Sequence, residues 1–203
     1  NGNGTGQTWS TRLSGARTIY ANDVTNLASY GYLYNWYAVI GISTSLNPNY
    51  KNICPTGWHV PSDGELTTLT NYLGGPSVAG GKMKTIGTTY WFSPNWRATN
   101  ESGFSALPGG ERGNNGSYRN IKSFAYLWSA TEKSSTSSFR HLLSSDNHDV
   151  RSSFGSKEAG SSIRCIRDSI ISSSSVKITT TKISSITATS AISGGTITSE
   201  DGL

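Results

Sequence analysis

His141, Asp146, His148 and Asp149 are the densest group in this chain able to ligate a cation, because imidazole with carboxylate is a transition-metal donor set. They lie in and beside Ser144 to Asn147, SSDN, a turn-forming run. The segments Ser138–Leu143 and His148–Phe154 are therefore predicted to close as a hairpin. Polar residues at a hairpin tip are ordinary, so the expectation is no metal site and no cofactor. Calcium held elsewhere by loop carbonyls and carboxylates is the alternative left open. Enzyme signatures fail in turn. GGPSVAGGK resembles a phosphate loop, but Pro76 stands where the first Gly belongs and Met83 follows Lys82 where Ser or Thr is required. There is no G-x-S-x-G, no C-x-x-C and no H-E-x-x-H. His59, in GWHVP, reads as a packed structural histidine.

Between Glu111 and Ser162, residues of scaffold type (Ile121, Trp128, Leu142, Val150, Ile163) alternate with Arg, Lys, His, Phe, Ser and Asp. That scatter has no shared catalytic logic. Aromatic anchors beside adaptable hydrogen-bonding groups are what a recognition surface presents, although a solvated face reads the same way.

The elements that must carry those residues are short. The 203 residues include 23 Gly, 6 Trp, 10 Tyr and 5 Phe, with 34% hydrophobic and 14% charged residues, which points to an aromatic core, turns and brief strands. YGYLYNWYAVIGI, Tyr30 to Ile42, is predicted as a buried strand ended by Pro48 and Asn49. Ser62 and Glu65 form the S-x-x-E capping box of a helix after Pro61, with Leu66, Leu69 and Leu73 on one face and Gly74 at its end. SSIRCIR, Ser161 to Arg167, is a final strand with core positions at Ile163, Cys165 and Ile166. Two cysteines, Cys54 and Cys165, in a chain of secreted appearance predict one structural disulfide.

Residues 1–6 read as a linker, 7–168 as the globular domain and 169–175 as a second linker. Residues 176–203 alternate β-branched and polar types, predicting two or three strands that cannot bury a core of their own. The net charge is +5, but the 17 basic residues are dispersed, so specific nucleic-acid binding is not expected. No apolar run suits membrane insertion. The chain opens at Asn1 without Met or a leader, as a processed or excised piece would.

YGYLYNWYAV, ICPTGWHVPSDGEL, AGGKMK, ATNESGFSALPGGERG, YLWSATE and SIRCIRD, in this order, resemble the Fibrobacter succinogenes major paralogous domain, a secreted bacterial module. Leu66 stands where the family usually has Trp. The resemblance implies an α+β, C-type lectin-like fold near the formylglycine-generating enzyme branch, with a small antiparallel sheet, one or two helices and long loops, followed here by a short all-β tail. It implies that Cys54 pairs with Cys165. Neither the acidic sugar-binding tripeptide of calcium-dependent lectins nor the redox cysteines of the enzymes is present, so no enzymatic activity carries over. The domain is also similar to the variable proteins of diversity-generating retroelements. That implies variable positions at Glu111, Arg119, Lys122, Lys133, His141, Leu143, Ser145, Arg151 and Ser153.

The expected function is a non-enzymatic extracellular binding module on a bacterial surface protein or a phage fibre, taking a protein or glycan on a cell surface. Phe124 and Phe139 are its expected apolar anchors. Arg119, Lys122, Arg140 and Arg151 would meet anionic or carbonyl groups, and His141, Asp146 and His148 would tune specificity. The tail resembles the first strands of an immunoglobulin-like or fibronectin-like repeat. This supports the alternative of a filament subunit joined to neighbouring copies by strand addition through residues 176–203.

Overall fold

A computed structural model describes residues 14–41 and 53–168 with their side chains, and the backbone of Ile178–Thr180 and Gly195–Ile197. The chain divides into two compact units, Asn1–Asp168 and Ser169–Leu203. Among its described residues the first mixes four α-helices with small antiparallel sheets and is α+β. In the second, β10 (Ile178–Thr180) pairs antiparallel with β11 (Gly195–Ile197). The predicted linkers 1–6 and 169–175, the turn at Pro48 and Asn49, and most of 176–203 lie outside the described residues.

The first unit opens with β1 (Arg17–Ile19), α1 (Thr25–Tyr30) and β2 (Tyr32–Tyr34), with β1 and β2 antiparallel. The long strand expected from Tyr30 onward stops at Tyr34, because Asn35 caps a helix instead. Its side-chain oxygen accepts the Ala38 N–H at 3.1 Å and the Ala16 N–H at 2.7 Å. The apolar run that follows is α2 (Trp36–Val39), buried at all four positions. Burial made the run resemble a central strand, and a single Asn decided its conformation.

After β3 (Trp58–His59) the capping box forms as expected. Ser62 Oγ accepts the Glu65 N–H, Glu65 accepts the Ser62 N–H, and α3 runs Asp63–Tyr72. Gly74, with φ +103°, lies beyond its end. The false phosphate loop is a further helix, α4 (Pro76–Met83), with proline at its start. Its glycines serve contact: a Cβ on Gly80 would lie 2.1 Å from the Asp149 carbonyl oxygen. Residues 85–110 carry no helix or strand, only isolated bridges of Ala106 to Lys84 and of Gly110 to Ala125.

The remaining strands are β4 (Glu111–Arg112) with β5 (Tyr118–Arg119), a three-stranded sheet β6 (Phe124–Glu132), β7 (Ser137–Ser144) and β8 (Arg151–Ser156), and β9 (Ile166–Arg167). The order is β6-β7-β8, with Tyr126 opposite Leu142 and Leu142 opposite Arg151. The connection between β7 and β8 spans residues 145–150, longer than the SSDN turn predicted. The expected last strand shortens to β9, paired with β3, while Ser161 and Ser162 make isolated bridges to Tyr34 and Leu127.

The core is aromatic, and each fully packed indole finds an acceptor. Trp36 donates to the Ser129 carbonyl, Trp91 to Thr85 Oγ1 and the Ala106 carbonyl, and Trp128 to the Tyr34 carbonyl. One cluster joins Leu73, Ala79, Met83 and Trp91 to Ala125 and Leu143; the other joins Trp36, Val39 and Val60 to Trp128. Cys54 and Cys165 are bonded to each other across 111 residues of sequence.

Candidate functional site

Successive strand residues point to opposite sides of a sheet, and this divides the expected site in two. Phe139, His141 and Leu143 lie on one side of β7. Arg140 and Leu142 lie on the other, together with Phe124 and Tyr126 of β6 and Arg151 and Ser153 of β8. On the first side Leu143 is packed in the core with Leu73 at the end of α3 and Ala79 and Met83 of α4. His141 is equally buried, its Nε2 2.9 Å from Oδ1 of Asp63 at the start of α3. Neither faces a ligand. Ser145 is also buried, its backbone tied to Ser123 and Trp96 and its hydroxyl donating to Asp146.

On the second side Glu111, expected at the surface, is 3% exposed. Its carboxylate accepts from Arg119 Nε at 2.7 Å and from Arg140 Nη1 at 2.5 Å. Arg140 is buried too, its guanidinium 4.5 Å from the Tyr126 ring centre. Space for it comes from Gly155, where a Cβ would lie 3.0 Å from the guanidinium carbon. Glu111 and Arg140 are thus the support of the site, and Arg119 is its exposed end. The Glu111 hydrogen bond and charge raise Arg119 above the ordinary arginine value.

Near Arg119 lie Tyr126 and Asn120, which the sequence did not single out. Tyr126 stacks on Phe124 at 5.7 Å, and its hydroxyl accepts from Asn120. Burial, followed by the Glu111 charge, pushes the Tyr126 hydroxyl pKa up. Lys122 has φ +64° and is held there by backbone hydrogen bonds to Pro108 and Phe92. Arg151 is exposed, with its Nε 3.0 Å from Asp149 Oδ2. Ser153, opposite Arg140, is half-buried. Lys133 stands apart, over the rings of Phe139 and Phe154 on the first side of the sheet. Phe154 is 56% exposed and was missed; its place on an edge strand has no signal in local sequence.

His141, Asp146, His148 and Asp149 do not converge. His141 meets Asp63 and Asp149 meets Arg151, while Asp146 is exposed and His148 half-buried. Among the described residues no three His, Cys, Asp or Glu side chains are grouped to hold a metal. A carbonyl cluster of the kind calcium would need is filled by a side chain: Lys84 Nζ donates to the carbonyls of Trp96, Ser144 and Asn147 at 3.1, 2.8 and 2.7 Å. Burial lowers the Lys84 pKa to about 8, against the opposing charges of Asp146 and Asp149. Three acceptors match the three donors of an ammonium, so the lysine acts as an internal cation joining two loops.

His59 is no apolar-packed residue. Its Nδ1 lies 2.5 Å from Asp168 Oδ1 and its Nε2 3.0 Å from Glu65 Oε1, so the ring bridges two carboxylates. The Asp168 hydrogen bond, then that of Glu65, raises its pKa.

A family model described as the Fibrobacter succinogenes major domain matches residues 2–167. No curated protein and no solved structure matches the chain.

Proposed function

The chain belongs to the Fibrobacter succinogenes major domain family, and from that membership together with the site geometry we propose that it is a non-enzymatic extracellular binding module. Its ligand surface is formed by Phe124, Arg151 and Ser153 of the β6-β7-β8 face with Arg119 of β5 and Lys122 of the segment leading into β6. The observation that carries this reading is the buried Glu111 carboxylate, which holds Arg119 from beneath by Nε while the arginine side chain stays 59% exposed. A side chain fixed before binding loses less entropy on capture. Arg119, Lys122, Arg151 and Ser153 sit outside the two core clusters, so substitutions there leave the packing intact, as a diversified surface on a C-type lectin-like scaffold requires. The disulfide suits an oxidising compartment, extracellular or periplasmic. No helix among the described residues is long and apolar enough to cross a membrane. Display on a bacterial surface protein or phage fibre is the setting we propose.

The test is a glycan and surface-protein array, run with and without calcium, comparing the native chain with Arg119→Gln, Phe124→Ala and Arg151→Gln. Capture should fall by at least about tenfold in each variant, as expected when a central anchor is removed. Melting midpoints should stay within about 2 °C for the two exposed arginines. Undiminished capture by all three variants would overturn the site.

A further inference from the structure

The three-stranded sheet ends at β8, and no strand among the described residues pairs with its outer edge. β8 pairs with β7 through six consecutive residues without a register shift, from Ser137 opposite Ser156 to Leu142 opposite Arg151. On its other side, among the described residues, the only backbone hydrogen bond is a local one from the Ala159 N–H to the Ser156 carbonyl. An exposed edge of this kind offers alternate N–H and C=O groups to an incoming strand, and proteins usually blunt it with Pro, Lys or a bulge. RSSFGS has none of these. Arg151, Ser152 and Phe154 are all exposed.

We propose that the β8 edge docks an extended acidic segment of a partner protein by strand addition. The side chains at the edge state the chemistry. Arg151, on one face, has Nε held by Asp149 and its terminal nitrogens without a partner among the described residues. That fork fits a carboxylate. Phe154, on the other face, lies beside Phe139 under the Lys133 ammonium, an apolar platform for the opposite side of the same strand. A fitting segment therefore carries carboxylates on one face and apolar side chains on the other, with backbone pairing supplying the affinity common to this mode. The chain's own tail fits less well: from Val176 to Leu203 its acidic residues are only the adjacent Glu200 and Asp201, which a strand would send to opposite faces, and it also carries Lys177 and Lys182. This surface is the sheet's edge, distinct from the Arg119 end of the face.

The test uses the full chain and three end-blocked octapeptides: alternating Val and Glu, alternating Val and Lys, and the Val–Glu peptide methylated at every backbone nitrogen. Binding is read by backbone amide shifts and hydrogen exchange in residues 151–156. The Val–Glu peptide should bind and protect those amides, and the other two should bind at least about tenfold more weakly. Arg151→Glu should reverse the preference toward the Val–Lys peptide, a gain that misfolding cannot produce. Arg119→Gln should leave peptide binding unchanged, which separates this edge from the Arg119 end of the ligand face, with which it shares Arg151. Equal binding of the methylated or the lysine peptide, or no shift at millimolar peptide, would overturn the proposal. So would a concentration-dependent dimer broken by Arg151→Glu, which would assign the edge to a second copy.

Discussion

Glu111 shows how a residue's role can invert between sequence and fold. In the sequence it is one polar residue among many near a Gly-rich turn; in the structure it is a buried charge with two arginine partners. Removing one member of such a set leaves an uncompensated charge, which typically costs about 3–5 kcal/mol. Glu111→Ala should therefore lower stability by roughly that amount in urea unfolding, and by far more than Arg119→Gln, whose side chain is exposed. Nothing local announces this, because Arg140 is 29 residues away and its space depends on Gly155 of a third strand. His59 makes a second, pH-dependent prediction. Its folded pKa is raised above the ordinary 6.5, so its stabilising contribution is complete below about that pH and disappears as pH rises through the folded value. The difference in melting midpoint between the native chain and His59→Asn should be largest in mild acid and shrink on going alkaline. A difference that grows with pH would contradict the bridge to Asp168 and Glu65.

At the level of elements, local rules succeeded where the signal was local. Ser62 and Glu65 declared the start of α3 because a capping box needs only four consecutive residues. Cys54 and Cys165 declared their bond because there were no other candidates. The alternation of β7 was visible as well, but which face was core depended on α3 and α4 packing against Ala125 and Leu143, and so His141 and Leu143 were assigned outward. Helix α4 was hidden by its glycines, which usually weaken a helix. Replacing Gly80 by Ala in an exposed helix would stabilise by about 0.5–1 kcal/mol. Here the new Cβ meets backbone at Asp149, so Gly80→Ala should destabilise, by about 1–3 kcal/mol as for overpacking. It should also disturb the neighbouring Arg151, readable as an amide shift in β8.

For the molecule as a whole, the disulfide is the longest-range constraint. In the chain-entropy account a cross-link closing a loop of about 100 residues stabilises by roughly 4.7 kcal/mol. Cys54→Ser with Cys165→Ser should accordingly lower unfolding free energy by about 2–5 kcal/mol, measured against the oxidised chain, and a dithiol reductant should reproduce the loss. An unchanged midpoint would show that β3–β9 pairing alone holds this end closed. The bond has a mechanical consequence too. Cys165 stands three residues before Asp168, where the first unit ends, and Cys54 precedes every residue of the ligand face. A pull on the two ends of the polypeptide would run through the sulfur bridge and bypass residues 55–164. Force applied between those ends would then leave Arg119, Phe124 and Arg151 unloaded.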